Sequence, residues 1–85
     1  MSDSAVVRTL LTGLGLGESP RWHEGRLWFC DWVAGEVLTL DASGASHVAL
    51  QIQSFPFSID WLPDGPLLVI SGSDRRLLRQ ESVRA

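Results

Sequence analysis

An internal repeat constrains the fold of this 85-residue chain more than any other feature of its sequence. The segment 22–27 recurs as 61–67, and a tryptophan opens each of the two copies. The glycines at positions 25 and 65 and the leucines at 27 and 67 follow, so the second copy has one additional residue within its turn. Repeats of about 40–45 residues that consist only of strands are typical of β-propeller blades. The spacing therefore favours two consecutive blades.

Short β-like runs separated by turn residues occupy most of the chain. Glycine accepts positive φ and aspartate bonds its own backbone, so clusters of these residues end strands. No segment shows sustained helical periodicity, and three glycines within residues 10–17 argue against a helix there. Many short strands with regular turns predict an all-β fold. The predicted strands cover residues 6–11, 19–22, 27–32, 36–40, 47–52, 58–61, 67–70 and 76–79.

The repeat also divides the chain into three parts. Residues 1–17 form an N-terminal segment that can act as a closing strand, residues 18–54 a first blade, and residues 55–85 an incomplete second blade. A propeller blade normally buries both of its faces against neighbours, so two blades leave apolar faces and strand edges exposed. The sequence therefore predicts a fragment of one and a half to two blades, with self-association of the exposed blades as a further expectation.

Composition narrows the class of protein. With 45% hydrophobic residues and four tryptophans, the chain is too apolar to be disordered. The net charge of −3 and the lack of aromatic residues among the clustered arginines argue against nucleic-acid binding. The sequence shows neither a secretion signal nor an apolar run long enough for a membrane helix, so we expect a cytoplasmic protein without membrane contact. The single cysteine, Cys30, has no internal disulfide partner, and its apolar strand predicts a buried, unreactive thiol.

Residues 15–22, which read Gly-Leu-Gly-Glu-Ser-Pro-Arg-Trp, and the segments 25–31, 61–71 and 74–79 resemble the gluconolactonase and senescence-marker-protein family. The resemblance implies a six-bladed propeller that holds a divalent cation in its central channel and hydrolyses sugar lactones or related esters. It also implies that Glu18 is a metal ligand, with calcium as the expected ion and zinc, magnesium and manganese as alternatives. The other ligands and the substrate-contacting residues of that family lie in later blades. No catalytic residue is therefore assigned in this chain.

Three functional hypotheses follow. The first is the N-terminal part of a metal-dependent lactone hydrolase that is inactive alone and has Glu18 as its only retained metal ligand. The second is a non-catalytic propeller segment that acts by association with other chains, since propellers serve binding as well as catalysis. The third follows from counting: two blades in each of three chains make six, so a homotrimer can close a ring.

Other conspicuous residues favour structural roles. The glycines at positions 13, 15 and 17 lack the spacing of a nucleotide-binding loop, and a strand follows where a helix is needed. His23 and His47 have no second ligand at useful spacing, and we expect both to be structural or exposed. Asp31 and Asp60 are expected to cap turns. All four tryptophans, at positions 22, 28, 32 and 61, are expected to pack between blades.

Overall fold

The computed structural model describes residues 6–81, which form two antiparallel sheets and no helix. In each sheet, strands that are consecutive in sequence lie side by side. This confirms the predicted all-β class. No helix in the described part of the chain is long or apolar enough to cross a membrane. The first sheet comprises β1 (Gly17–His23), β2 (Arg26–Asp31), β3 (Glu36–Leu40) and β4 (Ser46–Gln51), and the second comprises β5 (Phe57–Trp61), β6 (Leu67–Ser71) and β7 (Arg76–Arg79).

The repeat is visible in the pairing of the strands. Trp22 lies opposite Leu27 in the first sheet, as Trp61 lies opposite Leu67 in the second. The two copies differ by two irregularities that compensate each other. The strand β1 carries one additional residue at a bulge next to Ser19, whose φ is +59°. The connection from Trp61 to its partner Leu67 is one residue longer than the connection from Trp22 to its partner Leu27. Beyond both irregularities the two copies are again in the same register.

The two sheets pack face to face, and most of the core lies between them. The side chains alternate between the two sides of each strand, so every second residue enters this core. Burial of these apolar side chains is the main force that holds the sheets together. The buried residues of this core are Cys30 and Val37 from the first sheet, Ile52 from the segment that connects the sheets, and Phe57, Ile59, Leu67 and Val69 from the second sheet. Trp28, Trp32 and Trp61 pack at its margins.

A smaller apolar cluster covers the opposite face of the first sheet. It contains Phe29, Leu38 and Leu40, against which Leu11 of the N-terminal segment packs. The prediction of a strand over residues 6–11 is wrong, because no strand occurs there. Around Leu11 this segment lies over a face of the sheet, whereas strand hydrogen bonds form only along an edge.

Trp22 does not pack between the sheets, contrary to the sequence prediction for all four tryptophans. It lies opposite Leu27, on the face of the first sheet that is turned away from the second, and is 72% exposed. Trp61, at the same position of the repeat, is partly buried because the first sheet covers it. The two tryptophans differ because only one of them has a neighbouring sheet.

The thiol of Cys30 is expected to react slowly in the folded chain. The side chain is fully buried, and this burial raises the pKa of the Cys30 thiol from 9.0 to about 11. Only the thiolate reacts with a disulfide reagent, so modification at pH 8 should be about a hundredfold slower than in the unfolded chain. The rate with a chromogenic disulfide, measured with and without denaturant, tests this. Equal rates in both conditions would contradict the described burial.

Candidate functional site

The start of each sheet's first strand lies at the same end of the molecule as the turns that follow β2 and β6. Gly17, at the start of β1, pairs with Asp31 at the end of β2, and Phe57 pairs with Ser71 in the same way. We call this the entry end. It contains Glu18, the one metal ligand predicted from the sequence.

Asp31 fixes the path of the chain into β1. Asp31 is only 3% exposed, and its carboxylate accepts hydrogen bonds from four backbone N–H groups. These hydrogen bonds lower the pKa of the Asp31 carboxyl below its usual value of 3.8. The bond from the Gly15 N–H has the largest effect, and the other three N–H groups act in the same direction. The donors are Gly15 at 2.9 Å, and Leu16, Val33 and Ala34 at 3.1 Å each. The predicted turn cap is therefore confirmed for Asp31. The same prediction is wrong for Asp60, which lies within β5 and accepts the N–H of Trp61 in that strand.

The bulge in β1 determines which way Glu18 faces. Glu18 lies opposite Cys30, and Arg21 lies opposite Trp28. The two β1 residues are three positions apart in sequence, whereas their two partners in β2 are only two positions apart. Glu18 and Arg21 therefore share the side of the sheet that carries Cys30 and Trp28. Both charges act on the Cys30 thiol, with Arg21 lowering its pKa and Glu18 raising it. The Glu18 residue itself is exposed.

The carboxylates near β1 do not form a cation site by themselves. Calcium takes about six to eight oxygen ligands, and magnesium about six. The carboxylate of Asp31 is already occupied by backbone donors, whereas Glu18 on β1 is exposed. Within residues 6–81, no group of three or more His, Cys, Asp or Glu side chains could hold a metal ion. A complete site therefore needs oxygen ligands from outside the described residues.

Sequence analysis missed a cluster of serines and one aspartate at the entry end of the second sheet. Ser54 contacts Ser73 with 2.8 Å between their Oγ atoms, and the hydroxyl of Ser71 donates to the carboxylate of Asp74. This Ser71 bond, followed by the bonds from Arg76 at 2.9 and 2.7 Å, lowers the pKa of the Asp74 carboxyl below 3.8. None of these partners is a histidine, so the cluster offers a serine hydroxyl no general base of the usual kind.

Comparison of the two sheets explains what this cluster does. The Trp32 N–H donates to the Leu16 carbonyl at 2.9 Å, and at the equivalent position of the second copy the Gly72 N–H donates to the Pro56 carbonyl at 2.7 Å. Each bond ties the residue before a first strand to the turn after the second strand. Asp31 strengthens this tie in the first sheet and the serine cluster strengthens it in the second. The serine cluster therefore has a structural role. The backbone bond is the same in both copies of the repeat, and only the side chains that support it differ.

Both grooves between the sheets lack the features of a complete catalytic site. A groove of about 600 Å³ at the entry end is lined by neutral residues, among them Trp32, Ser54, Phe55 and Ser73, and Glu18 is not part of its lining. A second groove of about 610 Å³ lies at the opposite end beside His23. The structure therefore does not bring Glu18 together with either groove.

His23 has a structural role. Its ring stacks on Trp61 with 3.9 Å between ring centroids, and its edge approaches Trp28 at 6.1 Å. The Trp28 indole N–H also donates to the His23 carbonyl at 3.2 Å. This confirms the prediction of a structural histidine, and His47 is exposed in β4, as was also expected.

Comparison with protein-family models, curated proteins and solved structures finds no match to this chain.

Proposed function

We propose that this chain supplies the first blade and an incomplete second blade of a six-bladed β-propeller that hydrolyses sugar lactones or related esters, with Glu18 as one ligand of its divalent cation. The observation that carries the proposal is the position of Glu18. It is an exposed carboxylate on the first strand of the first sheet, next to a bulge that fixes its direction. The resemblance of residues 15–22 to the gluconolactonase family gives this carboxylate its role.

The geometry supports a propeller in three respects. Both sheets are antiparallel meanders, they pack face to face, and the backbone tie at the entry end of the first sheet recurs in the second. The first strands β1 and β5 also lie near each other. Stacked meanders with adjacent first strands are the arrangement expected of neighbouring blades around a channel.

The residues of this chain have a positioning role in the proposal. Asp31 holds the segment before β1, the bulge next to Ser19 turns Glu18 to the side of Cys30, and Glu18 presents its oxygens to solvent. The remaining cation ligands and the groups that bind the lactone come from other blades. The chain alone is therefore proposed to be inactive as a hydrolase.

Replacement of Glu18 by glutamine tests its role as a ligand. Glutamine keeps the size of the side chain but removes the charge that attracts a hard cation. We expect calorimetric titration with calcium chloride, at concentrations where the chain associates and Glu18 of several copies can supply ligands, to show weak binding by the unmodified chain. Binding by Glu18→Gln should be about tenfold weaker, because affinity follows the number of charged ligands. Glu24→Gln is the matched control, since Glu24 is exposed in the turn at the opposite end of β1.

Two outcomes would contradict the role of Glu18. One is equal calcium affinity in the unmodified chain and Glu18→Gln, and the other is no calcium binding at all. A loss of affinity in Glu24→Gln as large as that in Glu18→Gln would indicate a general charge effect and would also count against a specific site.

An alternative function rests on a different observation. Ile70 and Leu77 are 59% and 67% exposed although both lie in strands of the second sheet. Exposed apolar residues that are neighbours on one sheet face often mark an interaction surface. In this alternative the chain is a non-catalytic propeller segment that acts by associating with other chains, and Glu18 has no metal.

A further inference from the structure

The contact between the two sheets shows which apolar residues of the repeat are buried when one sheet packs against the next. The first sheet presents Cys30 and Val37 to the second, and both are 0% exposed. The second sheet presents Leu67 and Val69 in return, which are 2% and 1% exposed. Each copy of the repeat thus has two different apolar surfaces. The receiving surface, Cys30 and Val37 in the first copy, packs against the following sheet, and the inserted surface, Leu67 and Val69 in the second copy, packs against the preceding sheet.

The receiving surface occurs a second time, bordered by Arg21 of β1 but not covered by another sheet of the described residues. One repeat after Cys30 and Val37 are Ile70 and Leu77, which lie opposite each other in β6 and β7. They occupy the same positions of the repeat but are 59% and 67% exposed. With Leu68, the counterpart of Trp28, they form the outer face of the second sheet.

The inserted surface also occurs a second time, on the outer face of the first sheet. One repeat before Leu67 and Val69 are Leu27 and Phe29, which belong to the outer cluster of that sheet. Trp22 lies beside them at 72% exposure, although its counterpart Trp61 is packed against the core. Leu11 covers part of this face and leaves Trp22 at its uncovered margin.

We propose that these two surfaces bind each other between copies of this chain, so that the outer face of the second sheet receives the outer face of a second copy's first sheet. The internal contact provides the geometry. Trp61 stacks on His23 and contacts Trp28 edge-on at 5.2 Å. The counterparts of His23 and Trp28 in the second copy of the repeat are Leu62, in the turn after β5, and Leu68, in β6. These two leucines would receive Trp22 of the next copy.

This contact joins two different surfaces and is therefore heterologous, so it either closes into a ring or continues as an open assembly. Closure at six sheets needs three copies. The inference rests on the repeat and on the exposure of Trp22, Ile70 and Leu77, because Leu27 and Phe29 are already covered in part by Leu11. It holds whether or not the assembly hydrolyses a lactone.

Sedimentation velocity of the full chain without calcium tests the proposal. The unmodified chain should associate as its concentration rises, with a closed species near three times the chain mass of 9.3 kDa. Trp22→Ala and Ile70→Arg each remove one side of the contact and should weaken association about tenfold or more, since central aromatic and apolar residues dominate interfaces. An equimolar mixture of the two variants should regain dimers only, because one intact surface of each kind remains.

Val33→Arg is the matched control. Val33 is 71% exposed but lies in the turn after β2, on neither of the two surfaces, so its variant should associate like the unmodified chain. All substituted side chains are exposed, and far-ultraviolet circular dichroism confirms that each variant retains its strands. A monomeric unmodified chain at high micromolar concentration would overturn the proposal. Association that responds to Ile70→Arg but not to Trp22→Ala would also overturn it, because it would indicate contact between two second sheets.

Discussion

We expect Asp31→Ala to lower the free energy of unfolding by about 3 kcal/mol or more, one of the two largest effects of a single substitution in this chain. The substitution removes the acceptor of four backbone N–H groups at once. Buried donors that lose their partner pay the cost of desolvation without compensation, and here the lost acceptor is charged. Urea unfolding followed by tryptophan fluorescence measures the change.

The matched control for this prediction is Asp60→Ala. Asp60 is exposed, and its carboxylate accepts only the N–H of the following residue, Trp61, at 2.9 Å. Its replacement should change the free energy of unfolding by no more than about 0.5 kcal/mol. Asp31→Asn keeps one acceptor oxygen and should fall between the two alanine variants, which keeps the test open if Asp31→Ala does not fold. Similar losses for Asp31→Ala and Asp60→Ala would contradict the anchoring role.

The same carboxylate makes stability depend on acidic pH. The N–H groups, first that of Gly15, hold the pKa of Asp31 in the folded chain below its unfolded value of 3.8. The folded state therefore binds fewer protons than the unfolded state, and the stabilisation is complete above that unfolded value. It is lost as the pH falls below about 4 and through the folded pKa. The fall in stability on acidification should be smaller in Asp31→Asn than in the unmodified chain.

Local features of the sequence were sufficient to predict the seven strands of the described residues, although they also predicted a strand over residues 6–11 that does not occur. Turn residues such as Gly25 and Gly44 act within a few positions, and both have positive φ in the structure. The burial of Cys30 also followed from its apolar neighbours. These properties depend on residues close in sequence, so a single sequence contains the information they require.

Contacts between distant residues could not be read in this way. Asp31 was expected to cap a turn, but its bonds to Gly15 and Leu16 span 16 and 15 positions. The contact of Ser54 with Ser73 spans 19. Hydroxyl and carboxylate groups in turns suggest local capping, and nothing in their spacing identifies a partner on another turn. For the same reason, the resemblance of residues 15–22 identified Glu18 as a candidate metal ligand, but the sequence could not predict which side chains lie near it.

The exposure of Trp22 illustrates a second limit. Trp22 and Trp61 occupy equivalent positions of the repeat, and the sequence predicted the same burial for both. Only Trp61 has a neighbouring sheet that covers it. Burial of a repeated residue is a property of the stack, since each unit contacts only its neighbours. The proposed association would place a second sheet over Trp22 and bury it in the same way as Trp61.

We expect Gly35→Ala to lower the free energy of unfolding by about 3 kcal/mol, for two additive reasons. Gly35 has a φ of +71°, which costs an alanine about 1–2 kcal/mol. An added Cβ would also lie 2.7 Å from the Ile52 carbonyl oxygen, which belongs to backbone and cannot turn aside. The turn must therefore separate from the segment that leads into the second sheet. That separation would strain the 2.8 Å bond from the Ile52 N–H to the Gly35 carbonyl.

Gly44→Ala separates these two contributions. Gly44 also has a positive φ, of +90°, but nothing lies within 4 Å of an added Cβ. Its variant should lose only the conformational part, about 1–2 kcal/mol. Because Ile52 belongs to the core between the sheets, Gly35→Ala should also disturb the packing of Trp32 and shift its fluorescence, whereas Gly44→Ala should not. Equal losses in the two variants would show that the turn after β2 does not hold the second sheet in place, since only Gly35 touches the connecting segment.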